Sequence, residues 1–231
     1  MKSDTLLPHS IEETPEYQLA WDVYEQTTSQ TPYIRRQIIA RRSAASLSFK
    51  QAGHLFTTRS ELTTIEGDGL RVNLFVSGCQ FQCVNCFNES SQKFGYGERY
   101  SKKHEKVLLD KLSLPFVDGI TFVGGEPFQS AAHLIEICRK IKEECPDKSI
   151  WSYTGYLVEM LIHLDEEDPK RDLLNYIDVL IDGPFIDEER DEADLKTYRG
   201  SSNQRIIDVP ATLKEGQPVE YVRRETDDKS Y

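Results

Sequence analysis

The sequence predicts an α/β fold: a partial (β/α) barrel of mostly parallel strands with crossover helices, preceded by an N-terminal extension. Short β-prone runs alternate along the chain with segments whose apolar residues follow the period of a helix. Strand–helix units of this spacing favour a parallel sheet, because a parallel connection needs a long crossover. Only about four to six strands fit into the core, so we expect a partial barrel rather than a complete one.

The first predicted units occupy the middle of the chain. A glycine-rich turn precedes a strand at residues 72–77. A helix is predicted at residues 102–112, because Pro115 follows and stops it. The β-branched and aromatic run at residues 117–123 then ends abruptly at two glycines, which indicates a second strand.

The second half of the predicted core repeats the same alternation of strands and helices. In chain order, the predicted elements are a helix at residues 131–144, a strand at 150–153, a helix at 157–164, a strand at 179–181 and a β-prone run at 206–209. Cys138 and Cys145 lie on the apolar stripe of the first of these helices. We therefore predict that both cysteines pack as small hydrophobic residues.

The chain divides into three predicted parts. Residues 1–60 form an N-terminal extension of unknown role, because sustained periodicity is weak there. Within it, residues 34–42 have the pattern of a short basic amphipathic helix, whose arginines we assign to a solvated face. Residues 61–210 form the core domain, and residues 211–231 are predicted to be a charged C-terminal tail.

The composition narrows the classes of function. A net charge of −11 at pH 7 argues against nucleic acid as a partner, because phosphate backbones attract clustered lysine and arginine. No apolar run approaches the length of a membrane span, and the N-terminus lacks the pattern of a secretion signal. We therefore expect a cytoplasmic protein without a membrane partner. The five cysteines do not form a disulfide framework, and a reducing compartment suits metal-bound thiolates.

The candidate metal ligands are Cys79, Cys83 and Cys86, which follow the first predicted strand at C-x3-C-x2-C spacing. A loop of this length can turn three thiolates toward a common centre, and thiolates are the usual ligands of iron–sulfur clusters. A [4Fe-4S] cube held by three thiolates keeps one iron without a protein ligand, which leaves a position open for chemistry. A zinc site completed by a distant histidine, or three unrelated thiols, remain alternatives, although zinc sites usually use two separated ligand pairs.

A second candidate site segment, Gly124-Gly125-Glu126-Pro127, ends the strand predicted at residues 117–123. Ligands of parallel α/β sheets gather at the carboxyl ends of the strands. Adjacent glycines allow the backbone to approach a ligand, while Glu126 offers a carboxylate that can pair with an ammonium group. Without context the same tetrapeptide is an ordinary turn. Thr154 and Gly155 stand in the same way at the end of the following strand.

Together these motifs resemble the activating enzymes of anaerobic, class III ribonucleoside-triphosphate reductase, which belong to the radical S-adenosylmethionine superfamily. The resemblance covers residues 61–209 in the same order. It is carried by residues 75–79, the three cysteines, Phe87-Asn88, Gly124-Gly125-Glu126-Pro127, residues 144–146, Ile150-Trp151, Thr154-Gly155-Tyr156, residues 179–183 and residues 199–204. The cysteine triad is common to the whole superfamily, whereas the Thr-Gly-Tyr and Arg-Gly-Ser-Ser-Asn-Gln segments are more particular to these activases.

The resemblance implies an oxidoreductase that works by a radical mechanism. It implies that a [4Fe-4S] cluster on Cys79, Cys83 and Cys86 passes one electron to S-adenosylmethionine, which breaks into methionine and a 5′-deoxyadenosyl radical. That radical would generate a glycyl radical on the reductase. The implied partners are the glycyl radical subunit of anaerobic ribonucleoside-triphosphate reductase and a low-potential electron donor such as flavodoxin. Because the radical comes from the cofactor, no side chain is assigned as a general acid or base.

The resemblance also implies contacts to S-adenosylmethionine. The expected residues are Gly124, Gly125 and Glu126 at the methionyl end, Asn85 and Phe87 at the adenine or sulfonium side, and Thr154, Gly155 and Asp182 as walls of the site. The chain departs from the family pattern at Asn85, where many members carry an aromatic residue, and at Pro184, where related activases often carry lysine. Two alternative functions stay open: a radical enzyme of the 7-carboxy-7-deazaguanine synthase type, and a non-enzymatic iron–sulfur or zinc module.

Overall fold

The computed structural model describes residues 55–81, 83–190 and 198–223. The basic helix predicted at residues 34–42 lies outside the described residues, as do most of the N-terminal extension and residues 224–231 of the predicted tail. No helix in the described part of the chain combines the length and the apolar character that crossing a bilayer requires.

One seven-stranded sheet forms the centre of the fold. Its strands are β1 (Phe56–Thr63), β2 (Arg71–Val76), β3 (Glu98–Arg99), β4 (Gly119–Gly124), β5 (Ser149–Tyr153), β6 (Val179–Asp182) and β7 (Arg205–Asp208). Their spatial order is β3-β1-β2-β4-β5-β6-β7. The four central strands β2, β4, β5 and β6 are parallel, whereas β1, β3 and β7 pair antiparallel at the two sides. The predicted α/β class with a parallel core is confirmed, and the open strand order fits a partial barrel.

Five α-helices and three short 3-10 helices, at Glu89–Gln92, Pro127–Ser130 and Asp187–Glu189, complete the described fold. The α-helices are α1 (Lys102–Leu112), α2 (Ala131–Glu144), α3 (Val158–Ile162), α4 (Pro169–Leu174) and α5 (Val209–Glu215). Along α2, Leu134, Cys138 and Ile141 are fully buried, as their spacing on one helix face requires. Cys138 and Cys145 both belong to the main hydrophobic core, which confirms that they pack as apolar residues.

Strand β2 is buried on both faces, because the sheet has a packed layer on each side. Val72, Leu74 and Val76 belong to the core shared with the helices. The alternating residues point to the opposite face. That face carries a second apolar cluster, formed by Trp151, Val179, Ile181 and Tyr198. A strand buried on both faces is typical of the interior of a parallel sheet.

The described structure extends beyond both predicted limits of the core. Strand β1 begins at Phe56, upstream of the boundary placed at residue 61. Helix α5 crosses the boundary placed at residue 210, because proline is well accommodated in the first helical turn and Asp208 caps it through the Ala211 amide. The Tyr221 amide then donates to the Ile206 carbonyl at 2.9 Å. The first part of the predicted tail is therefore ordered against β7.

A buried ion cluster fastens β6 to β7 and α3. Nε of Arg205 donates to Asp182 at 2.9 Å, and its two terminal nitrogens donate to Glu159 at 2.8 and 2.7 Å. Asp182 is completely buried, and Glu159 is 3 % exposed. Burial raises the pKa of Asp182, while the Arg205 hydrogen bonds act in the opposite direction. The two carboxylates therefore depend on Arg205 for their compensation.

We expect Arg205→Met to destabilise the protein by about 3 to 5 kcal/mol, because it leaves two buried carboxylates without their cation. Lys106→Met is the matched control, since the Lys106–Asp110 pair is exposed and is expected to contribute at most about 1 kcal/mol. Urea unfolding of both variants measures the difference. Equal losses in the two variants would contradict the proposed role of Arg205.

Candidate active site

A cavity of about 410 Å³ opens at the carboxyl edge of the parallel strands. Nine of the residues predicted for the site line it: Cys79, Cys83, Cys86, Phe87, Gly124, Gly125, Glu126, Thr154 and Gly155. They come from three segments of the chain, which follow β2, β4 and β5. Because these strands are parallel, the three segments meet at the same edge of the sheet.

The cysteine segment forms a loop that leaves β2 at Ser77. All three of its cysteines are partly buried and are not bonded in disulfides. The amide of Phe81 donates to Sγ of Cys79, and the amide of Asn88 donates to Sγ of Cys86, both at 3.4 Å. Burial, with a smaller effect from the Glu126 carboxylate, raises the pKa of the Cys79 thiol. Without a bound metal this thiol keeps its proton, which a metal would displace.

The backbone of the cysteine loop lies directly against the turn that follows β4. The Gly78 carbonyl accepts from the Glu126 amide at 2.9 Å, and the Val76 carbonyl accepts from the Gly125 amide at 2.8 Å. A Cβ atom on Gly125 would come within 2.6 Å of the Gly78 carbonyl oxygen. Gly124 has φ +104°, a conformation that favours glycine. Both glycines are therefore required by this close approach.

Glu126 is 2 % exposed and accepts three hydrogen bonds. The amide of Phe128 and the hydroxyl of Thr154 donate to Oε1 at 3.0 and 2.9 Å, and the amide of Gly155 donates to Oε2 at 2.8 Å. Burial raises the pKa of Glu126 to about 7, and these hydrogen bonds oppose that rise. The carboxylate therefore ties the turn after β4 to the turn after β5.

Asn85 does not line the cavity, although it lies between two cysteines that do. Its φ is +51°, a left-handed conformation that asparagine tolerates better than most residues. Its side-chain amide donates to Asp187, and its carbonyl accepts from Arg190 at 3.2 Å. Arg190 also pairs with Asp187 at 2.8 Å and lies 4.5 Å from the centre of the Phe87 ring. We call Asn85, Asp187 and Arg190 the loop clasp.

Asp182 is also placed away from the cavity, within the buried ion cluster of Arg205. Its Oδ2 atom additionally accepts from the Val158 amide at 2.8 Å. The structure therefore gives Asp182 a role in holding β6, β7 and α3 together. Neither Asn85 nor Asp182 contacts the cavity as the sequence predicted.

Several lining residues were not among the predicted site residues. They include Glu66 before β2, Tyr153 at the end of β5, and Phe185, Tyr198, Arg199 and Gln204 near β6 and β7. Tyr153 donates from its hydroxyl to the Tyr198 carbonyl at 2.6 Å. Arg199 and Gln204 belong to the segment at residues 199–204, which contributes to the family resemblance. Its position next to a strand was the available signal that it forms a wall of the site.

Comparison with known proteins agrees with this geometry. Residues 65–207 match the family model described as a 4Fe-4S single cluster domain. The chain is 38% identical over 149 residues to the anaerobic ribonucleoside-triphosphate reductase-activating protein of Vibrio cholerae. The aligned region covers 63% of this chain and 92% of that relative. The proteins of that name from Pasteurella multocida and from Enterobacteria phage T4 are 40% and 34% identical, over 62% of this chain and 89% and 86% of their own lengths.

The fold and the cysteine-lined cavity thus belong to a single-cluster iron–sulfur protein, as the matching family model describes. Within that class, the chain belongs to the family of the anaerobic ribonucleoside-triphosphate reductase-activating proteins. The resemblance noted in the sequence is therefore confirmed.

The loop clasp leads to a prediction about the cysteine loop. We expect Asp187→Ala to accelerate amide hydrogen exchange at residues 83–88 about tenfold, because hydrogen bonds to Asn85 and Arg190 are lost. Glu188→Ala removes the same charge from an exposed neighbouring position and serves as the control. Unchanged exchange in Asp187→Ala would show that the clasp does not hold the loop.

The raised pKa of Glu126 predicts the pH dependence of stability. The folded state binds this proton more tightly than the unfolded state, so the contribution to stability is present at acid pH and is lost as pH rises through about 7. Glu126→Gln cannot ionise. The free energy of unfolding of the metal-free wild type, relative to Glu126→Gln, should therefore decrease between about pH 5 and about pH 8. A constant difference in urea unfolding would contradict the assignment.

Proposed function

We propose that this chain is a radical S-adenosylmethionine activase that generates a glycyl radical on anaerobic ribonucleoside-triphosphate reductase. One observation carries the proposal: three thiols and the glycine-rich ends of two neighbouring parallel strands line a single cavity. The names of the relatives favour this function over the deazaguanine synthase type and over a non-enzymatic module.

Cys79, Cys83 and Cys86 are the proposed ligands of the [4Fe-4S] cluster, and the soft thiol donor set suits iron–sulfur chemistry. Within the residues that the structure describes, no three His, Cys, Asp or Glu side chains are arranged to hold a single metal ion. A [4Fe-4S] cluster does not need three ligands placed around one ion. Each thiolate binds a different iron of the cube, so the sulfur atoms need not converge on one point. The amides that donate to Cys79 and Cys86 are of the kind that tunes a cluster potential.

When bound, the cluster and S-adenosylmethionine supply the radical chemistry, in which one electron breaks the C5′–S bond and a hydrogen atom is removed from a backbone glycine of the reductase. The task of this chain is to position these groups and to exclude water. Gly124 and Gly125 keep one wall of the cavity free of side chains, which allows a ligand to approach the backbone.

Glu126 is the proposed partner of the methionyl ammonium group. An ionised carboxylate offers about four acceptor positions, and three are used by Phe128, Thr154 and Gly155. The capacity that remains suits an ammonium group, which would also favour the ionised form of Glu126. Phe87 lines the cavity with 64 % of its surface exposed, and its flat ring suits the adenine side.

The proposed partners follow from the same chemistry. We propose that the reductase supplies the glycine, and that a low-potential donor such as flavodoxin supplies the electron. Both are expected to meet the protein in the cytoplasm. The net charge of −11 supports a protein partner rather than nucleic acid, and no membrane partner is proposed.

The test is anaerobic reconstitution with iron and sulfide, followed by addition of S-adenosylmethionine, a reductant and the anaerobic reductase. We expect release of 5′-deoxyadenosine and a glycyl radical signal in electron paramagnetic resonance. Cofactor cleavage without a glycyl signal on a competent reductase would reject the partner. Bound zinc, or iron without cofactor cleavage, would reject the activase.

Cys83→Ala should abolish cluster assembly and cofactor cleavage while leaving the fold intact, because Cys83 is only partly buried and the substitution removes a single sulfur atom. Cys145→Ala is the control, since that cysteine is buried outside the cavity and should keep the cluster. Iron content and circular dichroism measure the two effects. Unfolding of Cys83→Ala, or full iron content in it, would count against the assignment.

A further inference from the structure

The cavity contains one basic side chain among its described lining residues, that of Arg199. Nη1 of Arg199 donates to the carbonyl oxygens of Ser202 and Gln204 at 3.5 and 3.4 Å. Its Nε atom is buried, and no described residue accepts a hydrogen bond from it. Both contacts of Nη1 lie near the upper distance limit of a hydrogen bond, so the terminal nitrogens of Arg199 keep donor capacity for a ligand in the cavity.

The loop that carries Arg199 is held in place before any ligand binds. The amides of Gly200 and Ser201 donate to Oε1 of Gln204 at 2.7 and 3.3 Å, and Nε2 of Gln204 donates to the Gly183 carbonyl at 2.9 Å. The side-chain amide of Asn203 donates to the Pro184 carbonyl at 2.8 Å. These bonds fix the loop to the end of β6, so Arg199 is positioned by the fold rather than by the ligand.

The charges that line the cavity identify the chemistry of the ligand. Glu66 and Glu126 provide negative charge and Arg199 provides positive charge, which together suit a zwitterionic ligand that also carries a cation. S-adenosylmethionine has an ammonium group, a sulfonium group and a carboxylate. A guanidinium group pairs with a carboxylate through parallel N–H donors, which its two terminal nitrogens can provide.

We infer that Arg199 binds the methionyl carboxylate of S-adenosylmethionine and positions the methionyl end of the cofactor against the cluster. The inference rests on the proposed function, which names the cofactor. It adds a charged residue from the loop before β7 to the contacts proposed at the ends of β2, β4 and β5.

The test compares the binding of S-adenosylmethionine with that of its decarboxylated analogue, which keeps the amine, the sulfonium and the adenosine. Both ligands are measured by anaerobic equilibrium dialysis against the reconstituted wild type and Arg199→Gln. We expect Arg199→Gln to weaken binding of S-adenosylmethionine about ten- to a hundredfold, as the loss of a charge-assisted hydrogen bond does. Binding of the decarboxylated analogue should change less than about twofold.

Two further variants separate charge from folding. Arg139→Gln removes a cation from an exposed position on α2 and should bind both ligands like the wild type. Arg199→Lys keeps the charge without the planar pair of donors, so it should recover only part of the affinity. Thermal unfolding of each variant shows whether the loop has lost its structure.

An equal loss of affinity for both ligands, or no loss for either, overturns the inference. Retained affinity together with loss of the glycyl radical on the reductase also overturns it, because Arg199 would then contact the partner. Failure of the wild type to assemble a [4Fe-4S] cluster or to bind S-adenosylmethionine is a different result, which rejects the proposed function itself.

Discussion

The close backbone contact between the cysteine loop and the turn after β4 is the constraint on which the rest of the site depends. Gly78 and Cys79 donate from their amides to Ser91 and Gln92 at 2.7 and 2.9 Å, which closes the cysteine loop on itself. On the opposite side, the Gly78 carbonyl accepts from the Glu126 amide. Side chains at residues 124 or 125 would push these segments apart. Because glycine occupies both positions, the cysteines and Glu126 lie in one cavity.

Asp182 and Glu126 are both buried carboxylates near this edge, but their surroundings differ. Asp182 is compensated by the guanidinium group of Arg205 and does not reach the cavity. The three hydrogen bonds that Glu126 accepts come from neutral N–H and O–H donors, so no cation is hydrogen-bonded to it among the described residues. An ammonium group that binds there would gain a charge partner in a largely buried position.

Local sequence patterns were sufficient for the elements that bury a regular apolar face. Helices α1 and α2 have the predicted bounds of residues 102–112 and 131–144, because apolar spacing and a following proline specify them. Helix α4 is not among the predicted elements, because the acidic residues before it obscure the Asp168 cap and the proline at its start. The predicted core ends at Pro210 because proline often terminates an element. In the structure Pro210 instead lies in the first turn of α5, where proline is favourable.

The residues of the site also differ in whether the local sequence or a distant partner determines their role. The positions of the cysteines and glycines in the cavity wall were predictable, because they follow from the place of these residues at strand ends. Asn85 and Asp182 were not, because their roles depend on partners far along the chain: Asp187 lies 102 residues after Asn85, and Arg205 lies 23 residues after Asp182. A left-handed backbone at residue 85 also disfavours an aromatic side chain there. The asparagine at this position therefore serves the loop that carries the cysteines, whereas the neighbouring ring of Phe87 lines the cavity.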